Sequence, residues 1–128
     1  MRNMSFALTT DQILAQTKRV TRRIGWRTLL PGTSIQPVRK CMGLKPGEKV
    51  ERLRGPIRII DVRRERLDQM LADVEYGVRE CELEGFGDHP QLRKPSGFVK
   101  FFCDTHGCEP DAEVTRIEFE YQTGGANG

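Results

Sequence analysis

Proline and glycine punctuate the first half of the chain at Pro31-Gly32, at Lys45-Pro46-Gly47-Glu48 and at Gly55-Pro56. Each pair marks a turn, because proline fixes φ and glycine reaches conformations closed to other residues. The stretches between them have room only for short strands. Phe6-Ala7-Leu8 predicts the first. Val20 to Ile24 predicts the next, with Val20, Arg22 and Ile24 on one face and Arg19, Thr21 and Arg23 on the other. Ser34 to Lys40 and Val50 to Leu53 read as extended, and Ile57 to Arg63 is the clearest strand in the chain. Val114 to Tyr121 alternates strictly, as a half-buried strand does.

Helical signals fall between and after these strands. Thr9 or Thr10 caps a segment over Asp11 to Gln16 that buries Ile13 and Leu14. Asp73 caps a helix over Val74 to Glu84 that ends at Gly85. Ser96 caps another, ended by Gly107, whose Phe98, Phe101 and Phe102 fall at core spacing. Short strands plus two or three short helices predict an α+β fold, a small mixed β-barrel with helices at its ends. A length of 128 residues suits one domain over 1–123 with a modest core. The glycine-rich end, 124–128, has nothing to bury and reads as a flexible tail.

Charge is distributed unevenly. Residues 1–66 hold 16 Lys and Arg against 5 Asp and Glu, a net of +11, while residues 67–128 hold 5 against 13, a net of −8. Two readings follow: a basic face for an anionic partner, or two halves that fold together and neutralise one another. The acidic half also leaves room for a basic protein partner. The densest cationic run is Lys18-Arg19-Val20-Thr21-Arg22-Arg23, closed by Ile24-Gly25-Trp26-Arg27. It sets a hydroxyl among cations and an aromatic ring beside them. Trp26 reads either as a stacking platform for a base or as core closing the barrel end.

Other classes are set aside by what the sequence lacks. No apolar run approaches the roughly 20 residues of a membrane helix, and the first residues have no apolar stretch of a signal peptide, so the expectation is a cytoplasmic protein. Cys41, Cys81, Cys103 and Cys108 then read as free thiols. Cys103, His106 and Cys108 lack the paired CxxC spacing of a zinc site, so neither metal nor cofactor is expected. His89 and His106 read as solvated side chains.

The string Gln12 to Arg23 resembles the signature of the ASCH domain, whose members open with a strand, a short helix, a Gly-x-Lys-x-x-Thr-x-Arg run and a basic strand. Gln16 stands here where a glycine is common. Glu84-Gly85-Phe86, the segment Phe98 to Phe102 and the closing strand Val114 to Phe119 also resemble that family, most closely its phage and prophage versions. The resemblance implies a PUA-like barrel that binds RNA or modified nucleosides in a cleft. Some small bacterial members remove the acyl group from acetylcytidine with a Lys, a Thr and a Glu. By motif position those residues are Lys18, Thr21 and Glu84, with Arg23 as the matching arginine. The stretch from Ile35 to Pro56 is longer here than in those compact hydrolases.

Two functions are therefore expected. In the first, Lys18, Thr21, Arg23 and Glu84 line a cleft for a base, with Trp26 at its edge. Arg19, Arg27, Arg39 and Lys40 then contact phosphates. In the second, Lys18 deprotonates Thr21 for attack on an acylated cytidine, while Glu84 reads the amino group of the base. Alternation alone puts Lys18 and Thr21 on opposite faces of a regular strand. They meet only if Lys18 lies in the bend before it.

Overall fold

The computed structural model describes residues 1–122; the tail expected at 124–128 lies outside them. Five strands form one sheet: β1 (Arg2–Ser5), β2 (Val20–Arg23), β3 (Ser34–Val38), β4 (Ile57–Arg66) and β5 (Glu113–Tyr121). Their order is β1-β3-β4-β5-β2, with β1 parallel to β3 and the other neighbours antiparallel. The expected α+β class is what the chain adopts. The sheet itself stays open: β1 and β2 are its two edges, with no backbone ladder between them. A side chain bridges that gap instead, Arg23 Nη2 donating to the Ser5 carbonyl at 2.7 Å.

The first strand comes earlier than expected, because Phe6 is pulled into the core and the chain turns there. Its N–H donates to Val38 O at 2.9 Å, and its carbonyl accepts from the Thr10 hydroxyl at 2.9 Å. Helix α1 (Thr10–Leu14) follows, buries Ile13 and leaves Leu14 half exposed. The stretch Val50 to Leu53 contributes one isolated bridge, Val38 to Arg52, rather than a strand. Strand β4 runs longer than its apolar residues suggest, through a bulge between Ile59 and Asp61.

Three further helices cover one side: α2 (Gln69–Ala72), α3 (Val74–Cys81) and α4 (Pro95–His106). Asp73 caps α3 by accepting from Tyr76 N–H at 3.1 Å, as expected. At the start of α4 the cap position belongs to Lys94 and Pro95 opens the first turn, so Ser96 is inside the helix. Gly107, at φ 66°, closes it. The helix expected to reach Glu84 stops at Cys81 and continues as a π-type turn over Glu82–Phe86, broken at Gly85.

Two apolar clusters result. One lies against the sheet around Met4, Phe6, Ile35, Ile59, Ile117 and Phe119, and the other gathers Leu67, Met70, Cys81, Phe98, Phe102 and Val114 beneath the helices. The second depends on close approach at Gly77. A Cβ there would sit 2.1 Å from Met70 O and 2.7 Å from Pro95 Cγ. Gly77→Ala should therefore destabilise by about 1–3 kcal/mol despite alanine's better helix propensity. Thermal unfolding should show a Tm lower by about 4 °C or more.

Candidate functional site

Lys18 leaves the regular alternation because the chain bends before β2. Gln16 takes φ 61°, the left-handed region that favours glycine, which gives a physical reason for glycine at the matching position of the resembling domains. Thr17 N–H and Lys18 N–H both donate to Gln12 O, and Arg19 N–H donates to Leu83 O at 2.7 Å. The bend is thus held against the end of the α3 segment. Gly85, at φ 98°, makes the matching bend on the other side. A Cβ on Gly85 would lie 2.7 Å from Gln12 Cγ and 3.2 Å from Lys18 Cβ, so only glycine admits this approach.

The two bends bring Lys18 and Glu84 together. Lys18 Nζ donates to Glu84 Oε1 at 2.8 Å and to the Glu84 carbonyl at 3.0 Å, with the two residues only 2% and 3% exposed. Arg22 Nη1 donates to Glu84 Oε2 at 3.0 Å. Burial pushes the Lys18 ammonium below the ordinary lysine value, and the Glu84 charge and hydrogen bond oppose that shift without cancelling it. Thr21 Oγ1 accepts from Arg23 Nε at 3.1 Å. Burial lowers Arg23 to about 10, again with Glu84 opposing.

Lys18, Thr21, Arg22, Arg23 and Glu84 all line one cavity of about 230 Å³. It opens where the sheet fails to close: Ser5 at the end of β1 and Phe6 to Thr9 after it form one side, and β2, Glu84 and α4 complete it. The Lys/Thr/Arg/Glu set named from sequence therefore meets at one place. No hydrogen bond joins Lys18 to Thr21 among the described residues.

Sequence reasoning missed several neighbours of this set. Arg22 shares a strand face with Arg116, its register partner, and that face meets the helices. Its guanidinium binds Glu84, Glu80 (2.6 Å) and Glu65 (2.9 Å), and Arg116 grips both Glu80 oxygens at 2.6 and 3.0 Å. Burial disfavours the Arg22 charge, but the three carboxylates outweigh it and raise its pKa. Arg22 is thus paired with Glu65 of the first half and with Glu80 and Glu84 of the second, and it helps set Glu84 in place. Its Nε is a buried nitrogen with no hydrogen-bond partner among the described residues.

Phe98, Phe101 and Phe102, expected as core alone, also line the cavity beside Phe86, and His106, expected as a solvated side chain, joins that wall. His106 stacks on Phe102 at 4.2 Å between ring centroids. Burial and the Arg23 charge lower its pKa below the ordinary histidine value. Its place one helical turn after Phe102 was the signal that marked it for this face.

The outer candidates do not converge. Arg27 pairs with Glu113 at 3.6 Å, both more than half exposed. Arg39 is held by both oxygens of Glu51 at 3.0 and 3.1 Å, and Lys40 reaches Glu48 at 3.7 Å. None of the three lines the cavity, and the segment 35–56 neutralises cations of its own. Arg19 is exposed. Trp26 packs half-buried against the sheet core, with the Arg2 guanidinium 4.1 Å from its ring centroid. Among the described residues, no helix is long and apolar enough to cross a membrane. Nor, among the described residues, do three His, Cys, Asp or Glu side chains gather as a metal site requires.

No protein-family model and no curated protein matches the chain. Two solved structures are similar to it. One is a protein of Enterococcus faecalis V583 described under the family model DUF984, with a TM-score of 0.54 and 14% identity over 93% of this chain and 78% of that one. The other is an ASCH domain from Lactobacillus crispatus JV V101, with a TM-score of 0.52 and 17% identity over 93% of this chain and 77% of that one. At this identity the likeness defines the fold, which is ASCH-like.

Proposed function

We propose that this chain binds a single nucleobase, carried by RNA or by a free nucleoside, in the cavity lined by Lys18, Thr21, Arg23 and Glu84. The support is the set of hydrogen-bonding groups this cavity leaves unused. Lys18 Nζ commits two of its three N–H groups to Glu84. Thr21 Oγ1 accepts from Arg23 and keeps its own O–H. Each Glu84 carboxylate oxygen accepts one bond and retains a further lone pair. One amine donor, one hydroxyl and one carboxylate acceptor complement a base edge that sets an amino group beside ring acceptors, as cytosine does.

Size and surface agree with that choice. A volume of about 230 Å³ lies below the roughly 300–1,000 Å³ of drug-sized pockets, which suits a base rather than a longer ligand. The phenyl rings of α4 supply faces for stacking. Because Arg27, Arg39 and Lys40 lie outside it, the cavity rather than a basic face carries recognition. Likeness to phage-type ASCH domains rests on the sequence motifs.

Calorimetric titration with cytidine tests the reading. Lys18→Met and Thr21→Val should each weaken binding about tenfold or more, the worth of a buried hydrogen bond left unmade. Arg39→Ala should leave it unchanged. Equal affinity in wild type, Lys18→Met and Thr21→Val overturns the proposal.

One observation favours a second reading, an acyl-transfer enzyme: the lysine beside Thr21 has its ammonium pKa depressed by burial. A neutral Lys18 amine would take the Thr21 proton as Oγ attacks the acyl carbonyl. The departing amine would then receive that proton, and water would hydrolyse the ester left on Thr21. Base binding ranks first because Lys18 is engaged by Glu84 and Thr21 by Arg23. Acetate released from N4-acetylcytidine by wild type and not by Thr21→Val would establish the second reading.

A further inference from the structure

A second groove, of about 620 Å³, runs beside the first along α4, and Phe101 lines both. His89, Lys94, Ser96, Lys100 and Asp104 contribute to it. Phe101 is half-buried while Phe98 and Phe102 on the same helix are buried, so its ring stands at the boundary between the two spaces. Lys94 is exposed and makes no ion pair among the described residues. Lys100 pairs with Asp104 at 2.9 Å, but those side chains are 77% and 67% exposed. An exposed i,i+4 pair of this kind is weak, so a phosphate can compete for the lysine. The His89 imidazole accepts from Gln91 N–H at 3.2 Å and Leu92 N–H at 3.0 Å through Nδ1, which leaves Nε2 to carry the ring proton.

We infer that this groove is a phosphodiester subsite. The base sits in the first cavity, the strand passes Phe101, and the phosphate next to that base lies between Lys94 and Lys100. The ligand is then a base within an RNA strand rather than a free nucleoside. This inference rests on the base-binding reading and narrows it. The groove differs from the surface around Arg39 and Lys40 in one respect: it adjoins the base cavity, with Phe101 as a wall common to both. A stacked base leaves its sugar and phosphate at the mouth, which is where a partly buried aromatic and nearby cations act together in single-strand binding.

The test compares cytidine with the two dinucleoside monophosphates that place cytidine 5′ or 3′ of the phosphate, in wild type and in Lys94→Gln/Lys100→Gln. At least one dinucleotide should bind wild type about tenfold more tightly than cytidine, the worth of a charge-assisted hydrogen bond. That advantage should shrink as salt is raised and vanish in the double variant, while the affinity for cytidine stays the same. Dinucleotides no tighter than cytidine, or an advantage that survives the double substitution, would overturn the subsite and leave the base cavity standing. Absence of binding by all three compounds to wild type would overturn the base-binding reading and the subsite with it.

Discussion

Arg22→Met is expected to lower the free energy of unfolding by about 3–5 kcal/mol, the usual consequence of removing one partner from a buried ionic network. Arg22 is 3% exposed and its guanidinium contacts Glu65, Glu80 and Glu84. Methionine fills a similar volume and supplies no charge, so three carboxylates lose a shared counter-ion. Arg116 still holds Glu80, and Lys18 still holds Glu84, which keeps the loss from being larger. Urea unfolding should show a lower midpoint with little change in slope.

The pH dependence gives a second signature of the same network. Burial pushes the Glu80 carboxyl up, but hydrogen bonds from Arg116 and the Arg22 charge outweigh it and hold it below the ordinary value of 4.5. Glu65 behaves alike, through its bonds from Arg22, Tyr76 and Arg63. A carboxyl whose folded pKa is depressed contributes stability that is present above the unfolded pKa and lost as pH falls through the folded one. The wild-type protein should therefore lose stability as pH drops below about 4.5. Arg22→Met should lose less over that window, because part of the shift has already gone.

The other large effect belongs to Glu84. Glu84→Gln removes the charge that faces Lys18 and Arg22 and should cost about 3 kcal/mol or more of stability. It should also weaken cytidine binding about tenfold or more, since the amide no longer offers the carboxylate acceptor. Structural and binding roles separate in a double variant. Lys18→Met/Glu84→Gln no longer buries an unbalanced ammonium at this position, so it should recover part of the stability lost in Glu84→Gln. It should not recover binding. Recovery of both would make the pair a folding element with no part in recognition.

Much of the fold was legible because strands here carry strong local signals. Ile57 to Arg63 and Val114 to Tyr121 both lie in strands, and Asp73 begins one helix and Gly107 ends another as the residue types suggest. What could not be read was set by distant contacts. Phe6 leaves the strand pattern to reach the core and Val38, and no local spacing encodes that. The short α2 has no periodicity long enough to show. Alternation placed Arg22 and Thr21 on opposite faces correctly, yet both reach one cavity because it lies at the open edge of the sheet. Charge counts were the least informative guide. The cationic excess of the first half is consumed partly across the fold, by Arg22 on Glu80 and Glu84. It is consumed partly within segment 35–56, by Arg39 on Glu51 and Lys40 on Glu48.

The central claim, a base seated among Lys18, Thr21 and Glu84, is tested most directly by nuclear magnetic resonance of the labelled wild-type protein titrated with cytidine. Saturable shifts are predicted at the Thr21 methyl, the rings of Phe101 and Phe102, and His106, with none at Arg39 or Lys40. Shifts confined to the outer cations, with the Thr21 methyl and the α4 rings unmoved at saturation, would contradict it.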